Sequence, residues 1–145
     1  MARVNTYLNF SRNTKEAFNF YKSVFGGDFG GRGISRFSEI PPSNENPPLA
    51  EEDKNLVMHV ELQILGGHLL MGTDAPESMG FTINYGNNIN LSLEPDSKEE
   101  TKRLFDALSE GGTVTMDLQD MFWGAYFGSC IDKFGVQWML NYPLK

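Results

Sequence analysis

The chain has 145 residues, enough for one domain of ordinary size and too few for two independent cores. Apolar residues make up 40% and the 18 aromatics 12%, a globular composition able to offset the entropy of ordering. The net charge of −7 excludes a phosphate-backbone binder, which needs clustered Lys and Arg, and predicts no nucleic-acid partner. No apolar run approaches the roughly 20 residues of a membrane span, so no membrane partner is expected. The opening Met1-Ala2-Arg3-Val4-Asn5 lacks the layout of a secretory leader. Cys130 is the single cysteine, which excludes an intrachain disulfide and a thiolate cluster and reads as cytoplasmic.

Taken in chain order, the pattern is stated twice. Thr6, Leu8 and Phe10 alternate with Asn5, Tyr7 and Asn9, the signature of a strand with one apolar face. Asn13-Thr14-Lys15-Glu16 then starts a helix whose apolar face is Ala17, Phe18, Tyr21, Val24 and Phe25, stopped by Gly26-Gly27. Strands are predicted over about 31–38 and 56–64, separated by a Pro- and acid-rich surface loop over about 39–55. A last strand, from Gly67-His68-Leu69-Leu70-Met71 onward, completes a first module over about 1–74.

After a turn-rich linker over about 75–87, the second module spans about 88–145. Ile89, Leu91 and Leu93 alternate with Asn88, Asn90 and Ser92. Asp96-Ser97-Lys98-Glu99 starts a helix carrying Leu104, Phe105 and Leu108, and Gly111-Gly112 stops it. Strands follow at about 113–118 and 125–132, then Gly135-Val136-Gln137-Trp138-Met139. Each half reads β-α-β-β-β, an α+β layout.

Faces follow from burial. Val60, Leu62 and Ile64 belong to the core, so His59, Glu61 and Gln63 take the opposite face, provided that Leu65–Gly67 is a three-residue hairpin loop. Leu69, Met71, Thr73, Gln137, Met139 and Asn141 join that face. Tyr126 joins it if Ala125, Phe127 and Ser129 pack the other way. Its lining is rich in amides: Asn5, Asn9, Gln63, Asn88, Asn90, Gln137 and Asn141. Amides donate and accept without charge. With Tyr7, Met71 and Met139 they suit a neutral or zwitterionic small molecule, or else a closed, self-packed interior. His59 and Glu61 form an acid/base candidate, a general base oriented by its neighbour, or a purely structural pair. Trp123, beside Phe122 in a hairpin, either caps a cavity or anchors a subunit contact. His68 reads as a polar residue at a hairpin end, and Cys130 as a buried, inert thiol. Gly30-Gly31-Arg32-Gly33 precedes a strand rather than a helix, which is not the geometry of a phosphate loop.

Several segments carry a family resemblance. They are Tyr7-Leu8-Asn9-Phe10, Phe18-Asn19-Phe20-Tyr21-Lys22-Ser23-Val24-Phe25-Gly26, Met58-His59-Val60-Glu61-Leu62, Leu70-Met71-Gly72-Thr73-Asp74, Leu104–Gly112, Gln119-Asp120-Met121-Phe122-Trp123-Gly124 and Asp132–Asn141. Together the chain resembles the PhnB-like branch of the glyoxalase/bleomycin resistance/dioxygenase (vicinal oxygen chelate) superfamily. The resemblance implies two βαβββ modules, curved mixed sheets around a cavity, and a homodimer. In metal-using members the first and last strands of each module supply the ligands. The matching positions here are Asn5, Met71, Asn88 and Met139, the same four that the internal repeat pairs. Amide and thioether groups do not suit Zn²⁺ or Fe²⁺, although a thioether suits Cu(I). The expectation is no metal and no cofactor. Such sequences are also labelled methyltransferase-like, and no nucleotide-type loop here supports that activity. The resulting expectation is a small-molecule-binding protein, with a lyase or isomerase using Glu61 and His59 as the alternative.

Overall fold

The computed structural model describes residues 2–41 and 49–144. Residues 42–48 of the proline-rich loop lie outside the described set. The chain forms two compact units, Met1–Ile83 and Asn84–Lys145, and the buried side chains are divided between them.

The first unit holds β1 (Thr6–Phe10), α1 (Thr14–Phe25), β2 (Ser35–Arg36), β3 (Val57–Gln63) and β4 (Leu69–Asp74). The strands form one sheet in the order β1-β4-β3-β2. The β1–β4 pair is parallel and the others are antiparallel. Helix α1 covers one face through Ala17, Phe18, Tyr21 and Val24, all buried. Against them stand Val60, Leu62 and Leu70. The contact is close at Gly72, where an added Cβ would lie 2.4 Å from Phe18 Cε1. Only glycine lets α1 approach that near.

The first turn of a helix leaves backbone donors without internal partners. At α1 the predicted local cap, Asn13, makes no side-chain capping bond. Buried Asp74, at the end of β4, takes over: its Oδ1 accepts from the Thr14 amide at 3.0 Å and hydroxyl at 2.7 Å. Its Oδ2 accepts from the Val57 amide at 2.8 Å, so one carboxylate joins α1, β3 and β4. A second buried carboxylate, Asp53, accepts from Arg12 Nη1 at 3.0 Å and from the Ser78 hydroxyl at 2.7 Å.

The second unit holds β5 (Leu91–Leu93), α2 (Lys98–Ser109), β6 (Thr113–Met121), β7 (Ala125–Ile131) and β8 (Gln137–Pro143), in the sheet order β5-β8-β7-β6. Here β5 and β8 are parallel. Ser97 caps α2 as its spacing predicts, accepting from the Glu100 amide at 3.0 Å. Leu104, Phe105 and Leu108 are buried, as are Trp138, Leu140 and Cys130 of the sheet. Asp132 closes the β7–β8 turn: Oδ1 accepts from the amides of Phe134 and Val136, and Oδ2 from Trp138 Nε1 at 2.8 Å.

Two strands are shorter than predicted. β2 is reduced to Ser35–Arg36, with an isolated bridge between Phe29 and Leu62 before it. β5 begins at Leu91, leaving Asn88 and Asn90 outside the strand and Ile89 76% exposed. In contrast, β6 extends three residues beyond the predicted Leu118. Both units are α+β, each a four-stranded mixed sheet with one helix on one face. Among the described residues no helix is long and apolar enough to cross a membrane.

Candidate functional site

The face of the first sheet turned away from α1 is set by strand parity. Leu62 and Leu70 pair on the helix side, while Glu61 pairs with Met71 and Gln63 with Leu69 on the open side. The connection is the expected three-residue turn, Leu65–Gly67, closed by the Ile64 amide on the His68 carbonyl at 2.8 Å. Gly66 and Gly67 take positive φ there (66° and 80°). Parallel pairing adds β1: Tyr7 stands opposite Met71 and Asn9 opposite Thr73. The open face therefore brings together Tyr7, Asn9, His59, Glu61, Gln63, Met71 and Thr73.

Three of these side chains form one hydrogen-bonded row. The Tyr7 hydroxyl lies 3.3 Å from His59 Nδ1, and His59 Nε2 lies 3.1 Å from Glu61 Oε1. The rings of Tyr7 and His59 sit 5.8 Å apart, tilted by 38°. Exposure falls along the row, from 48% for Tyr7 to 35% and 26% for the side chains of His59 and Glu61. Spacing places His59 and Glu61 on one side because they are two residues apart on a strand. Tyr7 comes from 52 residues away and is aligned only by the β1–β4 pairing.

The glycine run has a packing role beside this row. The Gly30 amide donates to the Glu61 carbonyl at 2.9 Å, and a Cβ on Gly30 would lie 3.1 Å from Glu61 Oε2. The run seats the Glu61 side chain and leads toward β2, with no helix following it to receive a nucleotide phosphate. His68 turns to the other face, its Nε2 at 2.8 Å from the Thr6 hydroxyl.

The four positions implied as metal ligands present the following groups. Asn5 Oδ1 accepts from the Leu69 amide at 3.4 Å. Met71 is opposed by Tyr7 rather than by Asn5. Asn88 is exposed and outside β5, and Met139 is opposed by Ser92. These groups do not fit Zn²⁺ or Fe²⁺, since they supply no imidazole or carboxylate. Among the described residues, His, Cys, Asp and Glu do not gather in any group of three or more that could hold a metal ion.

In the second unit, Gln137, Met139 and Asn141 lie on the open face, in register with Ile131, Ser129 and Phe127. Gln137 Nε2 donates to the Ile89 carbonyl at 2.8 Å, which stands in for ladder pairing where β5 has not yet begun. Trp123 is 56% exposed and packs edge-on against Phe122 and Phe127, at 5.1 and 6.1 Å.

Tyr126 requires a correction. Buried Cys130 and Trp138 pair on the helix side, as do Gly128 and Leu140, and Tyr126 shares their parity. Its ring lies under Lys98 of α2, with Nζ 4.6 Å from the centroid. Phe127 and Ser129 take the open-face places instead. Gly128 was the usable signal: a Cβ there would lie 3.0 Å from Phe105 of α2, which fixes the even residues as helix-facing. A depression of about 470 Å³ lies beside Tyr126, lined by Lys98, Glu99, Lys102, Arg103 and Asp106. Its basic side chains are paired: Lys98 with Asp120, Lys102 with Asp106, and Arg103 with Glu100. The Glu100–Arg103 hydrogen bond holds the glutamate below and the arginine above its usual range.

Comparison with known proteins places this architecture. The family model described as 3-demethylubiquinone-9 3-methyltransferase matches residues 2–141. Protein YjdN of Escherichia coli K12 is 31% identical over 147 residues, covering 95% of this chain and 93% of that one. The crystal structure of PA1353 from Pseudomonas aeruginosa is 35% identical, with a TM-score of 0.81, covering 99% of this chain and 98% of that one. A Bacillus cereus structure described as a putative 3-demethylubiquinone-9 3-methyltransferase, PhnB protein, is 27% identical with a TM-score of 0.73, covering 97% and 99%. The fold is shared with a glyoxalase/bleomycin resistance protein/dioxygenase family enzyme from Burkholderia phytofirmans, at 19% identity, a TM-score of 0.60 and coverage of 97% and 100%. The chain therefore belongs to the 3-demethylubiquinone-9 3-methyltransferase family, is similar to the PhnB protein of Bacillus cereus, and shares its fold with glyoxalase/bleomycin resistance/dioxygenase proteins.

Proposed function

We propose that this PhnB-like chain binds a small organic molecule on the open face of its first unit, without a metal ion. The observation that carries the reading is the Tyr7–His59–Glu61 row, partly exposed on a face otherwise made of Met71, Thr73 and the amides of Asn9 and Gln63. Leu69 and Met71 add apolar surface beside these converging polar groups, and a ligand site uses both. Metal independence is supported by the donor chemistry at Asn5, Met71, Asn88 and Met139. Calorimetric titration against fractionated metabolite pools tests binding, and failure to find any ligand tighter than millimolar counts against it. Elemental analysis tests the second half: one transition ion held per chain would overturn it.

A second reading, a lyase or isomerase, is favoured by the 3.1 Å contact between His59 and Glu61. In it Glu61, oriented by His59, abstracts a proton next to a carbonyl. Glu61→Gln then abolishes turnover with folding intact, and an activity that survives this change removes Glu61 from the mechanism. A homodimer completes the proposal, supported by Phe122 and Trp123 standing 96% and 56% exposed. Sedimentation velocity reads the assembly state directly.

A further inference from the structure

With the His59 ring neutral, the row has a direction set by what each atom can do. A carboxylate only accepts hydrogen bonds, so the proton between Glu61 Oε1 and His59 Nε2 belongs to the imidazole. A neutral imidazole carries one N–H. With that proton on Nε2, Nδ1 is a bare acceptor, and the Tyr7 hydroxyl at 3.3 Å must donate to it. Tyr7 has then used its only proton inward. Tyr7 is the most exposed residue of the row, and its oxygen keeps lone pairs for whatever occupies the face.

We propose that Tyr7, ordered by His59 and Glu61, presents a hydrogen-bond acceptor to the ligand, so that the site selects an N–H donor, specifically the ammonium group of an organic amine. An ammonium donates and cannot accept, which is the complement of a hydroxyl oxygen whose proton is engaged. The row carries one negative charge with the imidazole neutral, which favours a cation over a neutral donor. Met71, directly across from Tyr7, supplies an apolar surface for the body of the amine. This inference rests on the binding reading and names the chemistry of that same site. Tyr7 is the contacting group, and His59 and Glu61 are positioning residues.

The test uses the full chain labelled with ¹⁵N. Imidazole ¹⁵N spectra at neutral pH report which ring nitrogen of His59 holds the proton. Isopropylammonium and acetone, which share a three-carbon body but differ as donor and acceptor, are then titrated while the Tyr7 and His59 signals are followed. The expected result is a protonated Nε2, a bare Nδ1, and isopropylammonium binding about tenfold more tightly than acetone, the worth of one charge-assisted bond. Tyr7→Phe abolishes that preference and keeps a native spectrum. Glu61→Gln, whose amide both donates and accepts, populates both tautomers and reduces the preference. A bare Nε2 or an imidazolium overturns the inference, as does acetone binding as well as the amine, and in that last case the site still binds small molecules. Failure of both probes to move Tyr7 and His59 overturns the binding reading and the inference with it.

Discussion

The indole Nε1–H of Trp138 donates to Asp132 Oδ2 at 2.8 Å, and both residues are buried. With the Phe134 and Val136 amides on Oδ1, three donors depend on this one carboxylate. Removing it takes this acceptor from all three donors at once. Asp132→Ala is expected to cost about 2–4 kcal/mol. Asp132→Asn costs less, since one oxygen remains to accept. Urea unfolding followed by tryptophan fluorescence measures both, and equal losses would contradict this account.

In the first unit, Asp74→Ala removes the acceptor for the first turn of α1 and for the Val57 amide together. The expected loss is about 2–3 kcal/mol, more than a solvent-exposed helix cap is worth. Hydrogen exchange should show the Thr14 and Val57 amides losing protection first.

Gly72→Ala and Gly128→Ala test the close approach of helix and sheet. The new methyl meets Phe18 in the first case and the Leu118 backbone, at 2.8 Å from its Cα, in the second. A ring can swing aside and a backbone cannot. Gly72→Ala is expected to cost about 1–3 kcal/mol and Gly128→Ala more. Thermal denaturation of the two variants ranks them, and the reverse order would refute the argument.

Cys130 is buried on the helix side of β7. Burial above all, then the Asp132 charge, pushes its thiol from an ordinary 9.0 up to about 11. The folded state therefore holds this proton more tightly than the unfolded chain does. Its stabilising effect is complete below pH 9 and is lost as pH rises toward about 11. A disulfide-exchange reagent should leave the native protein unmodified at pH 8 and label it in urea. Cys130→Ala should flatten the fall in urea midpoint between these two pH values, although it is less stable at neutral pH.

Much of the fold was legible in the sequence because its signals were local. Double glycines and polar starts bounded both helices, and the three-residue turn at Leu65–Gly67 decided the parity that put His59, Glu61 and Met71 on one face. What failed was non-local or ambiguous. No spacing reveals that α1 takes its cap from Asp74, sixty residues away. The run from Ala125 to Cys130 is apolar at both parities, so Tyr126 and Phe127 could exchange faces on paper. Asn88–Leu93 alternates like a full strand, yet only Leu91–Leu93 pairs. Within the candidate site, the pair His59–Glu61 was readable from a two-residue interval. That Tyr7 completes a row with it needed the register of β1 on β4.

That register differs between the two copies of the pattern. Tyr7 opposes Met71, whereas Ser92, and not the repeat-equivalent Asn90, opposes Met139. The displacement is two residues, an even step, so every core side chain keeps its side while the polar partner across from methionine changes. An even step thus preserves the faces and alters the chemistry. One half of the repeated scaffold sets a tyrosine across from its methionine and the other a serine, over hydrophobic layers built on the same parity.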